Sequence, residues 1–352
     1  MLAAALSALL TATSLYGPPQ LLFRFADPAI DESSGLAASS TAPGALWTHN
    51  DSGDKPRFFA VGPDGRTRTT FTVPGVDVRD WEDMARGPDE QGRSCLWFGD
   101  IGDNDARRDQ GVLLRRVREP ELDGRAQRRT GPSVDFRLVY PDGPGDAETL
   151  MVQPRTGRVF LVSKPLAGTA RVYAAPERLD PDGVNRLEEV GEFAPRLTGT
   201  PGGPDIGSLA QVLVTGGDFS PDGTRFVLRT YTDAYEFTVA GGDVAAALTA
   251  DPTVIPLPQT QQGEGITYSP DGSALLVSSE GEDAPVYRLA GRPGAVASPS
   301  PERAAQGATP VSGTRERSAV PAVVAGAGVA LAVLLAGWLA VRPGRSRGRR
   351  AR

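Results

Sequence analysis

Three glutamates and a serine occupy matching positions in five short motifs, and together these residues could bind a cation. Each motif begins with a small or acidic residue and has an apolar residue two positions later. The motifs are Ser34-Gly35-Leu36, Glu82-Asp83-Met84, Glu148-Thr149-Leu150, Gly217-Asp218-Phe219 and Glu264-Gly265-Ile266. Carboxylates that are held close together repel one another unless they are protonated or bridged by a cation. Oxygen ligands of this kind suit Ca²⁺ better than Zn²⁺.

The five motifs open a repeated unit. They begin at positions 34, 82, 148, 217 and 264, so the intervals are 48, 66, 69 and 47 residues. In the fourth and fifth units, Pro221-Asp222-Gly223 and Pro270-Asp271-Gly272 separate two apolar runs. Proline, aspartate and glycine in this order favour a tight turn. Four short strands can be drawn in each unit, which is typical of a β-propeller blade.

The two ends of the repeated region complement each other. The fifth unit has no fourth strand, because a segment rich in Pro, Ala, Ser and Gly follows Leu289, while the β-like segment from Leu21 to Phe25 precedes the first unit. Pairing the two would close the ring and remove an exposed sheet edge. The sequence therefore predicts an all-β, five-bladed β-propeller whose last blade is closed by an N-terminal strand. A six-bladed ring is the alternative, since residues 196–214 could contain a further blade.

Propeller geometry predicts that the motif residues meet. The innermost strand of each blade lines a central channel, and the connections before the first strand and after the second strand share one rim. We therefore expect a metal site at the mouth of the channel. Its predicted ligands are Ser34, Glu82, Glu148, Gly217 and Glu264, of which Gly217 offers only its carbonyl oxygen.

Catalytic candidates fall in the same motifs and in the polar loops of that rim. Glu82 or Asp100 could act as a base, and Lys55, Lys164 or Arg229 could hold a phosphate group. The loop from Asp100 to Asp105 resembles a calcium loop in composition, but it lacks the terminal glutamate of an EF-hand. We interpret it as a turn. The single histidine, His49, is interpreted as a turn cap, with a catalytic base as the alternative.

The five motifs resemble the innermost-strand starts of the calcium-activated nucleotidase (apyrase) family. The strings that carry the resemblance are S-G-L at Ser34, W-E-D-M at Trp81, A-E-T-L at Ala147, G-D-F at Gly217 and G-E-G-I at Gly263. The resemblance implies a five-bladed propeller with one central Ca²⁺, held by Ser34, Glu82, Glu148 and Glu264. It also implies a serine where this chain has Gly217. The D-W-E-D, N-D-S-G-D and G-D-I-G-D-N strings are also similar to those of uncharacterised exported bacterial propellers.

Composition excludes several classes of protein. The 352 residues carry a net charge of −6, and the last eleven residues contribute six arginines. The rest of the chain therefore sums to −6 − 6 = −12, which argues against nucleic acid as a partner. Cys95 is the single cysteine. It can form neither an intrachain disulfide nor a cysteine-based zinc site, and we expect it to be buried in the core.

The ends of the chain suggest a membrane protein. Residues 319–341 are uncharged and long enough for a transmembrane helix. The basic segment 342–352 would stay cytoplasmic by the positive-inside rule. We therefore expect a signal peptide or its remnant at 1–17, an extracellular propeller at 21–290, a disordered stalk at 291–318, a single-pass helix and a basic tail.

These features support two functions. The first is a monomeric extracellular binding module with a structural Ca²⁺ in its channel, whose rim contacts an unknown ligand or protein. The second is a Ca²⁺-dependent hydrolase of phosphate esters or anhydrides. Lactonase-like or other hydrolytic chemistry and a purely structural role are the remaining alternatives.

Overall fold

The computed structural model describes residues 15–51, 53–164 and 169–292, and these residues form five β-sheets. The chain enters through β1 (Gln20–Arg24). Blade 1 contains β2 (Ser33–Ala38), β3 (Leu46–Asn50), β4 (Arg57–Val61) and β5 (Thr67–Thr72). Blade 2 contains β6 (Trp81–Pro88), β7 (Ser94–Asp100), β8 (Val112–Arg118) and β10 (Val134–Val139), and the intervening β9 (Gln127–Arg129) joins blade 1.

The remaining blades follow the same order. Blade 3 contains β11 (Ala147–Val152), β12 (Val159–Ser163), β13 (Ala170–Ala174) and β15 (Glu188–Phe193), and the intervening β14 (Val184–Arg186) joins blade 2. Blade 4 contains β16 (Val214–Phe219), β17 (Arg225–Thr230), β18 (Asp233–Thr238) and β19 (Thr253–Pro256), with helix α1 (Val244–Leu248) before its last strand. Blade 5 contains β20 (Ile266–Tyr268), β21 (Ala274–Val277), β22 (Pro285–Ala290) and β1.

The innermost strands close into a ring. Strand β2 contacts β6, β6 contacts β11, β11 contacts β16, β16 contacts β20, and β20 returns to β2. The prediction of a five-bladed propeller is confirmed. The six-bladed alternative is wrong, because residues 196–213 contain a short 3-10 helix (Gly207–Gln211) and no strand.

The predicted closure of blade 5 by the N-terminal strand is also confirmed. Strand β1 pairs antiparallel with β22, with Gln20 opposite Arg288 and Arg24 opposite Pro285. The pairing continues outward, because Tyr16 bridges Gly291. Phe23 of β1 and Phe25, just after the strand, bury their rings in the apolar cluster between blades 5 and 1. Residues 15–17, which we had assigned to a signal peptide, therefore belong to the propeller.

The connection between the third and fourth strands of a blade covers the outer edge of the preceding blade. In blade 2 this connection supplies β9, which pairs in parallel with β5, and in blade 3 it supplies β14, which pairs in parallel with β10. In blade 4 it supplies α1, whose Leu248 lies against Gly191 of blade 3. An exposed strand edge is a site for unwanted pairing, so this arrangement protects three of the blades.

The apolar core lies between neighbouring blades. Trp47 of blade 1 and Trp81 of blade 2 share one buried cluster, and Trp97 of blade 2 packs with Leu150 of blade 3 in the next. Cys95 is buried in that second cluster, as expected. These three tryptophans therefore hold blades together.

The membrane part of the fold prediction needs correction. The described residues contain no helix that is both long and apolar enough to cross a membrane, and their α-helix, α1, has five residues. Residues 319–341, where we placed a transmembrane helix, lie outside the described residues, as do segments 1–14, 293–318 and 342–352. A single-pass membrane location with a cytoplasmic C-terminus is therefore not supported.

The closure of the ring can be tested in β1. Phe23 is 8% exposed and Leu22 is 42% exposed. We expect Phe23→Ala to lower the free energy of unfolding by about 3 kcal/mol, since it removes a buried ring from the interface between blades 5 and 1. Leu22→Ala should change it by less than about 0.5 kcal/mol. Chemical denaturation measures both values, and equal effects would contradict the closure.

Candidate functional site

A β-bulge near the start of the innermost strand recurs in four blades. The pairing register shifts between Ser33 and Leu36, between Trp81 and Asp83, between Ala147 and Thr149, and between Val214 and Gly216. Bulges redirect side chains and often lie beside functional sites. The bulged residues include Ser34, Glu82, Glu148 and Thr215, and all four are buried. In blade 5, Glu264 is buried two residues before β20.

The fourth member of this ring is Thr215, and our placement of Gly217 there is corrected. Strand β16 begins three residues before Gly217, which pairs regularly with Leu228. A Cβ atom on Gly217 would lie 2.8 Å from the carbonyl oxygen of Val227, so the position requires glycine for close packing. The Thr215 hydroxyl donates a 3.0 Å hydrogen bond to the carbonyl of Gly263, and the Ser34 hydroxyl donates to the carbonyl of Glu82.

Carboxylates crowd the mouth of the channel above this ring. We call the following residues the mouth cluster: Asp51, Asp80, Glu82, Asp146, Glu148, Lys164, Glu264 and Glu280. Glu82, Glu148 and Glu264 are buried, and the other members are partly exposed. The sequence-predicted Glu82, Glu148 and Glu264 are therefore brought together, and they are joined by acids from the loops of the rim.

Burial and mutual repulsion disfavour the charged form of these acids. Burial, followed by repulsion from Asp51 and Glu148, raises the pKa of Glu82 well above its usual range. Burial is also the largest cause at Asp80, whose pKa rises to about 6, and at Asp146, whose pKa rises to about 7. Without a cation, the cluster must therefore retain protons near neutral pH.

Three members of the mouth cluster have a geometry suited to a cation. One carboxylate oxygen each from Asp51, Asp80 and Glu82 lies within 4.8 Å of the other two. Gly102 is packed against two of these residues, because a Cβ atom there would clash with Oε1 of Glu82 and Oδ2 of Asp80. We refer to Asp51, Asp80 and Glu82 as the carboxylate trio.

Lys164 is the basic member of the mouth cluster. Its ammonium group lies 2.5 Å from Oε2 of Glu148 and donates a 3.0 Å hydrogen bond to the hydroxyl of Tyr231. Burial alone would lower the pKa of Lys164, but the charge of Glu148 and the proximity of Tyr231 raise it well above its usual range. Lys164 therefore acts as an internal counter-ion for Glu148.

The loop after β7 positions two acids of the mouth cluster. The carboxylate of Asp100 accepts hydrogen bonds from the backbone N–H groups of Arg79 and Asp80, at 3.2 and 3.1 Å. Further along the loop, the N–H of Asp103 donates to Oδ1 of Asp146 at 2.7 Å. The carboxylate of Asp103 accepts hydrogen bonds from the N–H groups of two later loop residues. The interpretation of this loop as a turn fits these contacts.

Asp100 is held by two buried arginines. Arg108 and Arg115 lie 2.7 and 2.6 Å from its carboxylate oxygens, and all three side chains are at most 5% exposed. Burial would raise the pKa of Asp100, but hydrogen bonds from Arg115 and Arg108 hold it below its usual range. A carboxylate stabilised in this way is a poor base, so the geometry assigns Asp100 to positioning.

The other sequence candidates lie apart from the mouth cluster or have structural partners. Arg229 is buried and donates to the carbonyl oxygens of Gly265 and Ser278, at 2.7 and 3.1 Å. His49 is fully buried, its ring meets those of Trp81 and Phe98 edge-on, and burial lowers its pKa to about 4.

Lys55 is exposed in the loop after β3 and makes no ion pair with the described residues. Of the five catalytic candidates, only Glu82 and Lys164 therefore belong to the mouth cluster.

Sequence reasoning missed Asp80 and Asp146 as site residues. Each lies immediately before its innermost strand, two residues before Glu82 and Glu148 respectively. The recurrence of an acid at this offset was the available signal. The backbone contacts to Asp100 and Asp103 that orient these acids could not be read from the sequence.

The role of Asp100 can be tested by substitution. Asp100→Asn removes the counter-charge of the buried Arg108 and leaves the buried Arg115 with its longer ion pair to Asp135, so we expect the free energy of unfolding to fall by about 3 to 5 kcal/mol. Chemical denaturation measures this change. Asp64→Asn removes an exposed carboxylate 2.8 Å from Arg68 and should leave stability almost unchanged. Similar losses in the two variants would contradict the role of Asp100.

Comparison with known proteins leaves the family open. No protein-family model matches the chain, and no curated protein sequence matches it. Among solved structures, a gluconolactonase from Xanthomonas campestris is similar, with 12% sequence identity and a TM-score of 0.41. The similarity covers 78% of this chain and 95% of that protein. At this level it carries no argument about function, and the resemblance to the calcium-activated nucleotidase family is not shown by any of the comparisons.

Proposed function

We propose that this protein is a cation-binding β-propeller that takes up Ca²⁺ at the mouth of its channel and serves as a binding module. The observation that carries the proposal is the carboxylate trio, whose three oxygens lie within 4.8 Å of one another. Ca²⁺ binds oxygen at about 2.3 to 2.6 Å, so two ligands on opposite sides of the ion are about 5 Å apart. A cation placed among the trio would be within reach of one oxygen from each carboxylate.

The chemistry of the site favours Ca²⁺ over a transition metal. The trio offers only oxygen, while His49 and Cys95 are buried in packing between the blades. Zinc sites are normally built from histidine and cysteine. Among the other predicted ligands, Glu148 would have to release Lys164 before it could bind, so the trio is the preferred site.

Gly102 supports the assignment of the trio. Its backbone approaches the oxygens of Glu82 and Asp80 so closely that any side chain there would displace them. Its φ angle is not in the left-handed region, so packing explains the need for glycine here better than backbone strain does.

The phosphate hydrolase remains the second candidate, with weaker support. It would use Glu82 and Lys164, but Lys164 is already paired with Glu148, and Asp100 and Arg229 have buried structural partners. A phosphate group would have to compete for the one ammonium group of the mouth cluster. The release of phosphate from nucleoside di- and triphosphates in the presence of Ca²⁺ would favour this candidate over a binding module.

Calcium should stabilise the metal-free protein. A ligand that binds only the folded state raises the free energy of unfolding, by about 2.7 kcal/mol at a concentration one hundred times its Kd. Thermal melts with Ca²⁺, with Mg²⁺ and with EDTA measure the effect. Glu82→Gln should abolish the Ca²⁺ shift and also stabilise the metal-free protein, because it removes an acid whose charge the site disfavours. A full Ca²⁺ shift in this variant would reject the trio.

Gly102 provides a matched pair of variants for the same melts. Gly102→Ala adds one methyl group against Glu82 and Asp80 and removes no ligand, so it should displace their oxygens and weaken the shift. Gly131→Ala is the control, because a Cβ atom there meets nothing within 4 Å. A normal shift in Gly102→Ala would contradict the proposed position of the ion.

The Ca²⁺ shift should grow with pH. The pKa values of Asp80, Asp146 and Glu264 are raised to about 6, 7 and 8, so the folded metal-free protein retains protons that the unfolded chain releases. The stability that these acids contribute to the metal-free protein therefore falls as pH rises from about 4 to 8.

Ca²⁺ requires the ionised form, so it must compete with protons at low pH. We expect a larger rise in melting temperature at about pH 8 than at about pH 5. His49 acts in the opposite direction, because its lowered pKa removes stability as pH falls from 6.5 to about 4. Its contribution cancels when melts with and without Ca²⁺ are compared at each pH. A shift independent of pH would contradict the site.

A further inference from the structure

A second polar site lies at the outer edge of blade 1, away from the central channel. A cavity of about 400 Å³ opens beside β9, the outermost strand of blade 1, and it is lined by Thr72, Arg125, Gln127, Arg128 and Arg129. The protein as a whole carries a net charge of −6, so three arginines around one cavity contrast with their surroundings. We call these five residues the arginine pocket.

The fold fixes the backbone of the arginine pocket. Strand β9 pairs in parallel with β5, with Gln127 opposite Thr70 and Arg129 opposite Thr72. The Thr69 hydroxyl donates a 2.7 Å hydrogen bond to the carbonyl of Arg125, which holds the chain just before the strand. The arginines are therefore presented by a hydrogen-bonded sheet.

Two of the guanidinium groups are held in place. Arg128 lies over the ring of Phe71, 5.5 Å from its centroid, and donates a 2.6 Å hydrogen bond to the carbonyl of Glu121. Arg125 lies 2.5 Å from a carboxylate oxygen of Asp123, and Arg128 lies 3.6 Å from the same oxygen. The ring of Phe71 and the carbonyl of Glu121 restrict the Arg128 side chain before binding, which lowers the entropy cost of holding a ligand.

The charge of the pocket is only partly neutralised. Arg129 is exposed and makes no ion pair or hydrogen bond with other described residues through its side chain. Asp123 is the acid that contacts the pocket arginines, so the group carries a net charge of +3 − 1 = +2. The hydroxyl of Thr72 and the amide of Gln127 add neutral hydrogen-bond donors.

We propose that the arginine pocket binds a tetrahedral dianion, as a phosphate ion or as the phosphate group of a monoester. Guanidinium groups form paired, charge-assisted hydrogen bonds with the oxygens of such groups. Asp123 holds Arg125 in the free protein and would be displaced by the incoming oxyanion. The alternative is that these arginines only prevent the exposed strand from pairing with other chains. In that case, phosphate would show no saturable binding.

Titration of the metal-free full chain with inorganic phosphate, followed by calorimetry at low ionic strength, tests the proposal. We expect saturable binding with one site. The double variant Arg125→Gln, Arg129→Gln should bind at least about tenfold more weakly, because it removes two charged donors. A parallel titration with glycerol phosphate shows whether the pocket prefers a free phosphate ion or a monoester. The preferred ligand is the one that binds with the lower Kd.

Two further variants control for effects of misfolding and of net charge on phosphate binding. The double variant Arg93→Gln, Arg107→Gln removes the same charge from exposed arginines on blade 2 and should bind phosphate like the wild type. Asp123→Asn removes the internal competitor and should tighten binding several-fold, an outcome that misfolding cannot imitate. Absence of saturable binding to the wild type, or equal weakening in the two double variants, would overturn the proposal.

Discussion

Closure of the ring is the constraint on which the rest of this structure depends. The pairing of β1 with β22 joins residues more than 250 positions apart, and it brings the last innermost strand against the first. Only in a closed ring do the starts of five innermost strands point at one mouth. The crowding of Glu82, Glu148 and Glu264 is therefore a consequence of closure, because no local interaction would bring these residues together.

Closure of the ring brings several acids close together, and the basic residues nearby contact them in different ways. Lys164 pairs directly with Glu148. Arg108 and Arg115 contact Asp100, which in turn orients the backbone of Asp80. These two arginines therefore support the backbone beside the carboxylate trio.

The sequence predicts the features that depend on local pattern or on counting. Repeated motifs and turns give the number of blades, and an unpaired segment at each end gives the closing strand. Gly217 was misplaced because a bulge at Thr215 shifts the register, and a bulge depends on pairing with β17. Strands β9 and β14 were missed because a strand of three residues is too short to show alternation, and their partners belong to neighbouring blades.

The burial of acids in the mouth cluster supports the proposed cation more strongly than their number does. If these positions only had to fill the channel, amide or hydroxyl side chains would be sufficient. Ser34 and Thr215 show this in two blades, because their hydroxyls donate to carbonyl groups of the next blade. Burying Glu82 instead raises its pKa and costs stability in the metal-free protein. Such a cost is expected where ionised oxygens are needed for binding, and the absence of a side chain at Gly102 leaves room for the oxygens of Glu82 and Asp80.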